Sequence, residues 1–305
     1  MPRGGGGRVT RIAARPEDGG PDALFVCVPG VSADGHAFAG RAVAAGCRML
    51  VVERELPEGA DQVVVPDARR ALALVAAALA GDPSRRLRVF GVTGTNGKTT
   101  SAYLMRAVFE AAGLPSGLVG TVESIVGGRA VAASHTTPGP DALQHLFARM
   151  LDAGDRACAM EVSSHALAQQ RVAGVRFAAA VFTNLTQDHL DFHGSFAAYG
   201  DAKARLFTEL GPGAAVVNVD DPFGAELAER VTCPLLRVRR TPGADADVAP
   251  TTLDLGPQGV QMRARTPFGE VEVRSRLLGL HTVSYTHLRA HETVLDLVCR
   301  LLLEK

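Results

Sequence analysis

Short apolar runs closed by glycine, proline or aspartate alternate along this chain with alanine-rich stretches whose apolar positions recur at helical spacing. That rhythm predicts strands alternating with helices. Residues 23–28 read as a strand that Pro29 and Gly30 break, 37–45 as a helix, 49–53 as a strand and 68–79 as an amphipathic helix, together a small α/β module. Gly81, Asp82, Pro83 and Ser84 then have turn chemistry, so we place a domain boundary between residues 85 and 86. Beyond it the pattern predicts strand 87–93, helix 99–112, strand 117–121, helix 140–152, strands 156–162 and 178–184, helix 195–209 and strand 214–219. Such alternation implies an α/β fold with a doubly wound, mostly parallel sheet and ligands beyond the carboxyl ends of its strands. From 247 to 280, short β-like pieces joined by Gly-Pro and Pro-Phe-Gly turns predict a small antiparallel meander that closes this domain.

The strand at 87–93 runs into Gly94-Thr95-Asn96-Gly97-Lys98-Thr99-Thr100, ahead of a helix. Glycines there let backbone N–H groups approach phosphate oxygens without an intervening Cβ, and the helix presents its positive end. Lys98 reaches the terminal phosphates and the Thr99 hydroxyl holds Mg²⁺, so the expected ligand is ATP or GTP with magnesium. The plain Walker consensus nevertheless fails: the position it reserves for its first glycine is Val92, and the glycines available are Gly91 and Gly94. An ordinary glycine-rich strand-to-helix turn is the bland alternative.

Composition removes several classes. With 305 residues, 47% of them hydrophobic, the chain has enough core for two domains, and its formal net charge of zero lacks the electrostatic footprint of a nucleic-acid binder. The glycine-rich start has no apolar signal-peptide core, and no apolar run reaches the roughly 18 residues of a membrane span, so a cytoplasmic protein without membrane insertion is expected. Five scattered cysteines without ligand spacing predict buried thiols rather than a zinc site or disulfides.

Two further strand ends carry chemistry. Cys158-Ala159-Met160-Glu161-Val162-Ser163-Ser164-His165, followed by Arg171, ends a strand in a carboxylate, two hydroxyls and an imidazole. There Glu161 is placed to share Mg²⁺ with Thr99, while Ser163 and Arg171 suit an anionic substrate. A strand-to-helix transition with Ser163 or Ser164 as N-cap is the alternative. The strand running through Val181 and Phe182 enters a cluster of Asn184, Asp188, His189, Asp191 and His193, polar groups that are costly to bury without partners or a metal. His189 is a candidate ligand for a second Mg²⁺, an unusual role for imidazole, and a capping or solvated loop residue otherwise. Lys203, ten residues past His193, reads on its own as a solvated surface lysine.

Together these blocks resemble the Mur ligase family, ATP-dependent enzymes that add amino acids to the UDP-N-acetylmuramoyl precursor of peptidoglycan. The loop from Gly91 to Thr99 matches that family's own phosphate loop, which accounts for the failed consensus. Asp34-Gly35-His36-Ala37-Phe38, Thr136-Thr137-Pro138-Gly139, the Glu161 block and the stretch from Phe182 to Gly194 are most similar to the MurE type, which extends UDP-N-acetylmuramoyl-L-alanyl-D-glutamate with a diamino acid. Folylpolyglutamate synthase, a sister ligase, and a nucleotide-binding switch or kinase are the competing readings. Against the sister stand Thr136-Thr137-Pro138-Gly139 and the Asp34-Gly35-His36 module.

The resemblance implies roles residue by residue. Gly94, Thr95, Asn96, Gly97, Lys98, Thr99 and Thr100 would hold ATP and Mg²⁺, Glu161 would be a magnesium ligand and His189 would serve the second magnesium. Lys203 would be carbamylated by CO₂, Asn218 would contact adenine, and Thr136, Thr137, Ser163 and Arg171 would grip the muramoyl-dipeptide. Lys98, His189 and Lys203 form the implied catalytic set, acting on an acyl phosphate formed from the D-glutamyl γ-carboxylate. The partners are then UDP-N-acetylmuramoyl-dipeptide and a diamino acid, meso-diaminopimelate on frequency, with L-lysine open, and a monomer is expected. Residues 1–85 would bind the uridine end, although the family's Asp-Ser-Arg is not recognisable before Leu24, and 86–283 would form the ATP domain. Residues 284–305 resemble translated adapter read-through and are expected to be non-native, leaving the family's C-terminal Rossmann-like, amino-acid-binding domain absent. Such a chain is expected to bind nucleotide without completing ligation.

Overall fold

The computed structural model describes residues 8–30 and 33–276; the expectations placed on 284–305 lie outside the described residues. The chain divides into two compact units. One runs to Asp82 and takes in Gly139–His145 and Gln169–Gly174; the other holds Pro83–Pro138, Leu146–Ala168 and the chain from Val175.

In the first unit β1 (Arg11–Ile12), β2 (Ala23–Val26), β3 (Met49–Val52) and β4 (Asp61–Val64) form a parallel sheet in that order, with α1 (Ala39–Ala44) between β2 and β3 and α2 (Ala68–Leu79) after β4. Successive residues of a strand face opposite ways, and both faces are covered here. Phe25, Leu50 and Val52 pack with Ala39 and Ala42 of α1, while Leu24, Val26 and Val51 pack with Ala68, Leu72 and Val75 of α2. This double coverage is why β2 and β3 read as unbroken apolar runs rather than as alternating ones.

The Asp34-Gly35-His36 stretch ties this unit together. His36 is buried, and its Nε2 accepts the Glu53 N–H at 2.9 Å, so the ring proton sits on Nδ1 and is directed at Asp34 Oδ1, 2.6 Å away. Arg54 donates to the other Asp34 oxygen at 2.8 Å, and Arg54 first, then His36, holds that carboxyl well below the usual range. Glu53 in turn accepts the Ala68 N–H with Oε1, at the start of α2. A Cβ on Gly35 would meet the Val28 backbone at 2.6 Å, so the loop closes only with glycine there. His36→Ala is expected to lower the unfolding free energy by about 2–3 kcal/mol, because it strands the Glu53 N–H as well as losing a bond to a carboxylate. Urea unfolding followed by circular dichroism measures this, and an unchanged midpoint would remove the network from the stability of the fold.

The second unit continues with β5 (Arg88–Thr93), α3 (Lys98–Ala111), β6 (Ser116–Val119), β7 (Glu123–Val126), β8 (Arg129–Ala132), α4 (Pro140–Asp152, whose start belongs to the first unit) and β9 (Ala157–Glu161). There follow α5 (Ser164–Ala168), β10 (Phe177–Phe182), α6 (Leu190–His193), α7 (Phe196–Thr208), β11 (Ala215–Asn218), α8 (Pro222–Arg230) and β12 (Leu235–Val238). Eight strands form one sheet in the order β12-β11-β10-β5-β9-β6-β7-β8, parallel as far as β6. The β7–β8 pair is antiparallel and is absent from the reading of the sequence. Its turn is Gly127-Gly128, with φ of +55° and +75°, the backbone that a tight hairpin needs. Phe90 and Val92 of β5 pack on Met105 and Phe109 of α3 and so seat that helix against the central strand. β13 (Ala249–Gly256), β14 (Gly259–Thr266) and β15 (Gly269–Ser275) make the expected antiparallel meander. Among the described residues no helix is long and apolar enough to cross a membrane, and the four described cysteines are free thiols.

Candidate active site

β5 ends in the glycine-rich loop, and the displaced glycine has a physical reason. Gly94 has φ +149°, and a Cβ on it would run into the Thr183 hydroxyl, so this position, rather than that of Val92, makes the turn. The loop is held from the side by the segment after β10. Thr95 N–H donates to Asn184 O at 2.8 Å, Asn96 N–H to Asn184 Oδ1 at 3.0 Å, and the Thr183 hydroxyl to Asn96 O at 2.7 Å. Gly97, with φ +86°, is the N-cap of α3 and offers no side chain to the first-turn N–H groups, which suits them to an anion.

Two lysines converge on one carbonyl of this loop. Lys98 Nζ lies 3.0 Å from Gly94 O and 2.8 Å from Thr95 O, and Lys203 Nζ lies 2.7 Å from the same Gly94 O. Lys203 is 1% exposed, not solvated as its sequence context alone suggests. Burial, and then the charge of Lys98, push its pKa down to about 6, against the opposing pull of Asp188. Burial lowers Lys98 as well, opposed by Glu161 and Asp188. The Tyr199 ring centroid lies 4.4 Å from Lys203 Nζ, and the Tyr199 hydroxyl meets Thr95 Oγ1 at 3.1 Å.

Beside the loop, at the end of β9, Glu161 is 1% exposed. Its carboxylate accepts the Thr99 hydroxyl at 2.9 Å, the Thr121 N–H at 2.8 Å and the Thr121 hydroxyl at 3.1 Å, and none of these donors is charged. Buried carboxylates are otherwise paired or metal-bound, and hydroxyl plus carboxylate oxygen is the donor chemistry that Mg²⁺ takes. The two residues fit that ion. Among the described residues no group of three or more His, Cys, Asp or Glu is gathered for a metal, and a magnesium site completed by phosphate oxygens and water needs none.

The other expected site residues fall into three neighbourhoods. Thr136 Oγ1 accepts the Thr121 hydroxyl at 3.0 Å, whereas Thr137 is buried, its hydroxyl placed between Glu161 O and the Ser163 N–H, so it orders the turn after β9. Ser163 Oγ accepts the Ala166 N–H at 3.2 Å, the N-cap geometry weighed for it. His189, with φ +50°, joins a cluster in which the His165 ring stands edge-on to it at 4.7 Å and stacks near Phe192 at 4.1 Å. His193 Nε2 meets Ser164 Oγ at 3.0 Å, and burial, then the charges of His165, Lys203 and His189, lower its pKa. Asn218 donates to Thr183 O at 2.7 Å and lines a cavity of about 710 Å³ together with Asn96, Gly97 and Thr100 of the loop. Arg171 belongs to the first unit, where Gln169 Oε1 accepts its Nε at 3.0 Å.

A family model for the Mur ligase middle domain matches residues 92–286. The chain belongs to the Mur ligase family. It is 43% identical over 272 residues to the UDP-N-acetylmuramoyl-L-alanyl-D-glutamate--2,6-diaminopimelate ligase of Geobacillus thermodenitrificans, covering 86% of this chain and 55% of the relative. Against the ligase of the same name from Gloeobacter violaceus it is 45% identical, covering 85% and 53%. A solved structure of a ligase of that name superposes with a TM-score of 0.81 at 26% identity, over 96% of this chain and 61% of the other. A MurF ligase from Thermotoga maritima in complex with ADP shares the fold, with a TM-score of 0.56 at 16% identity, over 96% and 63%. The chain thus spans about half the length of the curated relatives it matches.

Around the loop and Glu161 of this Mur ligase family member, reading the sequence missed Thr121 and Tyr199. Thr121 lies two residues past the end of β6, where strand ends of a parallel sheet meet ligands. Tyr199 stands four residues before Lys203 on α7, on the same helical face.

Proposed function

We propose that this chain supplies the nucleotide-activating part of an ATP-dependent ligase that joins diaminopimelate to UDP-N-acetylmuramoyl-L-alanyl-D-glutamate in peptidoglycan synthesis. The observation that carries this reading is the convergence of the buried Lys203 and the half-buried Lys98 on the carbonyl of Gly94, in a loop whose next turn places Thr99 against the buried Glu161. In the proposed reaction the α3 N–H groups and Lys98 take the terminal phosphates, and Thr99 and Glu161 hold Mg²⁺. Magnesium, when bound, neutralises phosphate charge. Asn218 is the adenine contact, and Thr136 and Ser163 in the second unit, where Thr137 orders the turn after β9, are contacts of the muramoyl-dipeptide; Arg171, in the first unit, is a further one.

Lys203 has the chemistry for a carbamate. With its pKa near 6 it is a neutral amine at physiological pH, and a neutral amine adds CO₂ to give R–NH–COO⁻ with release of one proton. The anion so formed would suit a second Mg²⁺ better than the amine does, with His189 as the further ligand in this reading. The glutamyl γ-carboxylate of the substrate attacks the γ-phosphorus and ADP leaves; the incoming amine then attacks the acyl carbon and phosphate leaves. Lys98 is positioned to stabilise the charge that develops in the first step.

Titration calorimetry of the 305-residue chain with ATP and Mg²⁺ tests the nucleotide part. Binding is expected in the range of about 1 µM to 1 mM, lost on Lys98→Ala. An absence of binding, or a Lys98→Ala variant that binds as well, would sink the reading.

A further inference from the structure

The cavity that begins at Asn96 and Gly97 extends past Asn218 to a charged pair, Asp220 and Arg240. Charge sorts the two ends of any nucleotide placed there. The loop end offers helix N–H groups and lies beside Lys98, whereas the far end carries two carboxylates, Asp220 and Asp221, against the single cation of Arg240, a net negative charge that favours the neutral nucleoside over phosphate.

The two carboxylates differ in what they have left to give. Asp221 is engaged at both oxygens: Oδ2 accepts the Leu185 N–H at 2.8 Å, and Oδ1 accepts the Gly224 N–H at 3.0 Å as the N-cap of α8. Among the described residues the side-chain bonds to Asp220 fall on Oδ2, from Arg240 N–H at 2.7 Å and Arg240 Nε at 3.3 Å. Its own backbone N–H donates to Asn218 Oδ1 at 3.1 Å, which fixes Asp220 against the residue read as the adenine contact. The side chain is 15% exposed, so it is largely desolvated yet still opens on the cavity. A preorganised carboxylate with one oxygen anchored and the other turned to hydroxyl donors is the arrangement by which proteins recognise a ribose.

We propose that Asp220 reads the sugar of the bound nucleotide, accepting its 2′-hydroxyl at Oδ1, with Arg240 as a positioning residue that fixes the carboxylate from behind. The inference rests on the assignment of this cavity to ATP and deepens it to a preference for ribonucleotides over deoxyribonucleotides.

Calorimetric titration of the 305-residue chain with the magnesium complexes of ATP and 2′-deoxyATP tests this. The wild type is expected to bind ATP about 10- to 100-fold more tightly, the span of one hydrogen bond to a charged group. Asp220→Ala is expected to bring ATP down to the level of 2′-deoxyATP, so that the ratio falls towards unity. Asp220→Asn keeps the side-chain shape and should narrow the ratio even where the alanine variant folds poorly. A wild type that binds both nucleotides equally, or an alanine or asparagine variant that keeps the full ratio, overturns the role of Asp220 and leaves the ATP assignment standing. A wild type that binds neither nucleotide overturns both.

Discussion

Replacing Lys203 by methionine is expected to raise the thermal midpoint near pH 7 while removing every trace of carbamate. Lys203 is 1% exposed, and its pKa falls from 10.5 in the unfolded chain to about 6 in the fold. Between those values the unfolded chain binds the proton and the folded chain does not, so stability rises with pH from about 6 to about 10.5 and the full penalty applies below 6. Each unit of displacement is worth about 1.36 kcal/mol, so several units outweigh the roughly 1 kcal/mol lost with the bond from Nζ to Gly94 O. In CO₂-free buffer Lys203→Met should therefore be the more stable protein at pH 7, with a gap that closes towards pH 10. With ¹³C-bicarbonate, the wild type should show a carbamate carbonyl resonance that the variant lacks. A variant that is less stable by the same amount at every pH would mean that Lys203 carries no titration penalty. A missing resonance in the wild type would end the carbamate proposal.

The same lysine shows what a sequence makes legible. Tyr199, Ala202, Lys203, Leu206 and Phe207 are all buried on α7, so Lys203 occupies a core position in the helical stripe. A charged residue at a core position is itself a signal, but it was outweighed by the ordinary expectation that lysines are solvated. The central strands were legible because double coverage makes them continuous apolar runs, as in β5, β9 and β10. Edge elements were harder to see. β4 exposes Val63 and Val64 at the sheet margin, and β7 and β8 depend on a two-glycine turn rather than on composition. The candidate site was legible in its residue types, since Lys98 and Thr99 open the helix after a glycine-rich loop and Glu161 ends a strand. Its assembly was not, because the bonds that hold the loop join Thr95 and Asn96 to Asn184 and Thr186, some 90 positions away, and no local pattern encodes such pairings.

Glu161→Gln is expected to separate metal binding from nucleotide binding. The wild-type carboxylate accepts three bonds from uncharged donors in a buried position, and among the described residues Lys98 acts on it through space without a hydrogen bond. Mg²⁺ shared with Thr99 would meet that charge directly. Glutamine keeps the length and one acceptor oxygen, and can still receive the Thr121 N–H, but its amide presents hydrogens where Thr99 now donates. Affinity for ATP in the presence of Mg²⁺ should fall by about 10- to 100-fold, the scale on which residues of a metal site act. Affinity for metal-free ATP, measured in EDTA, should hold or improve, because a negative charge near the phosphates has gone. The two titrations together decide the point: equal losses with and without magnesium would make Glu161 a structural anchor of the loop, and a loss confined to the magnesium series would make it a magnesium ligand.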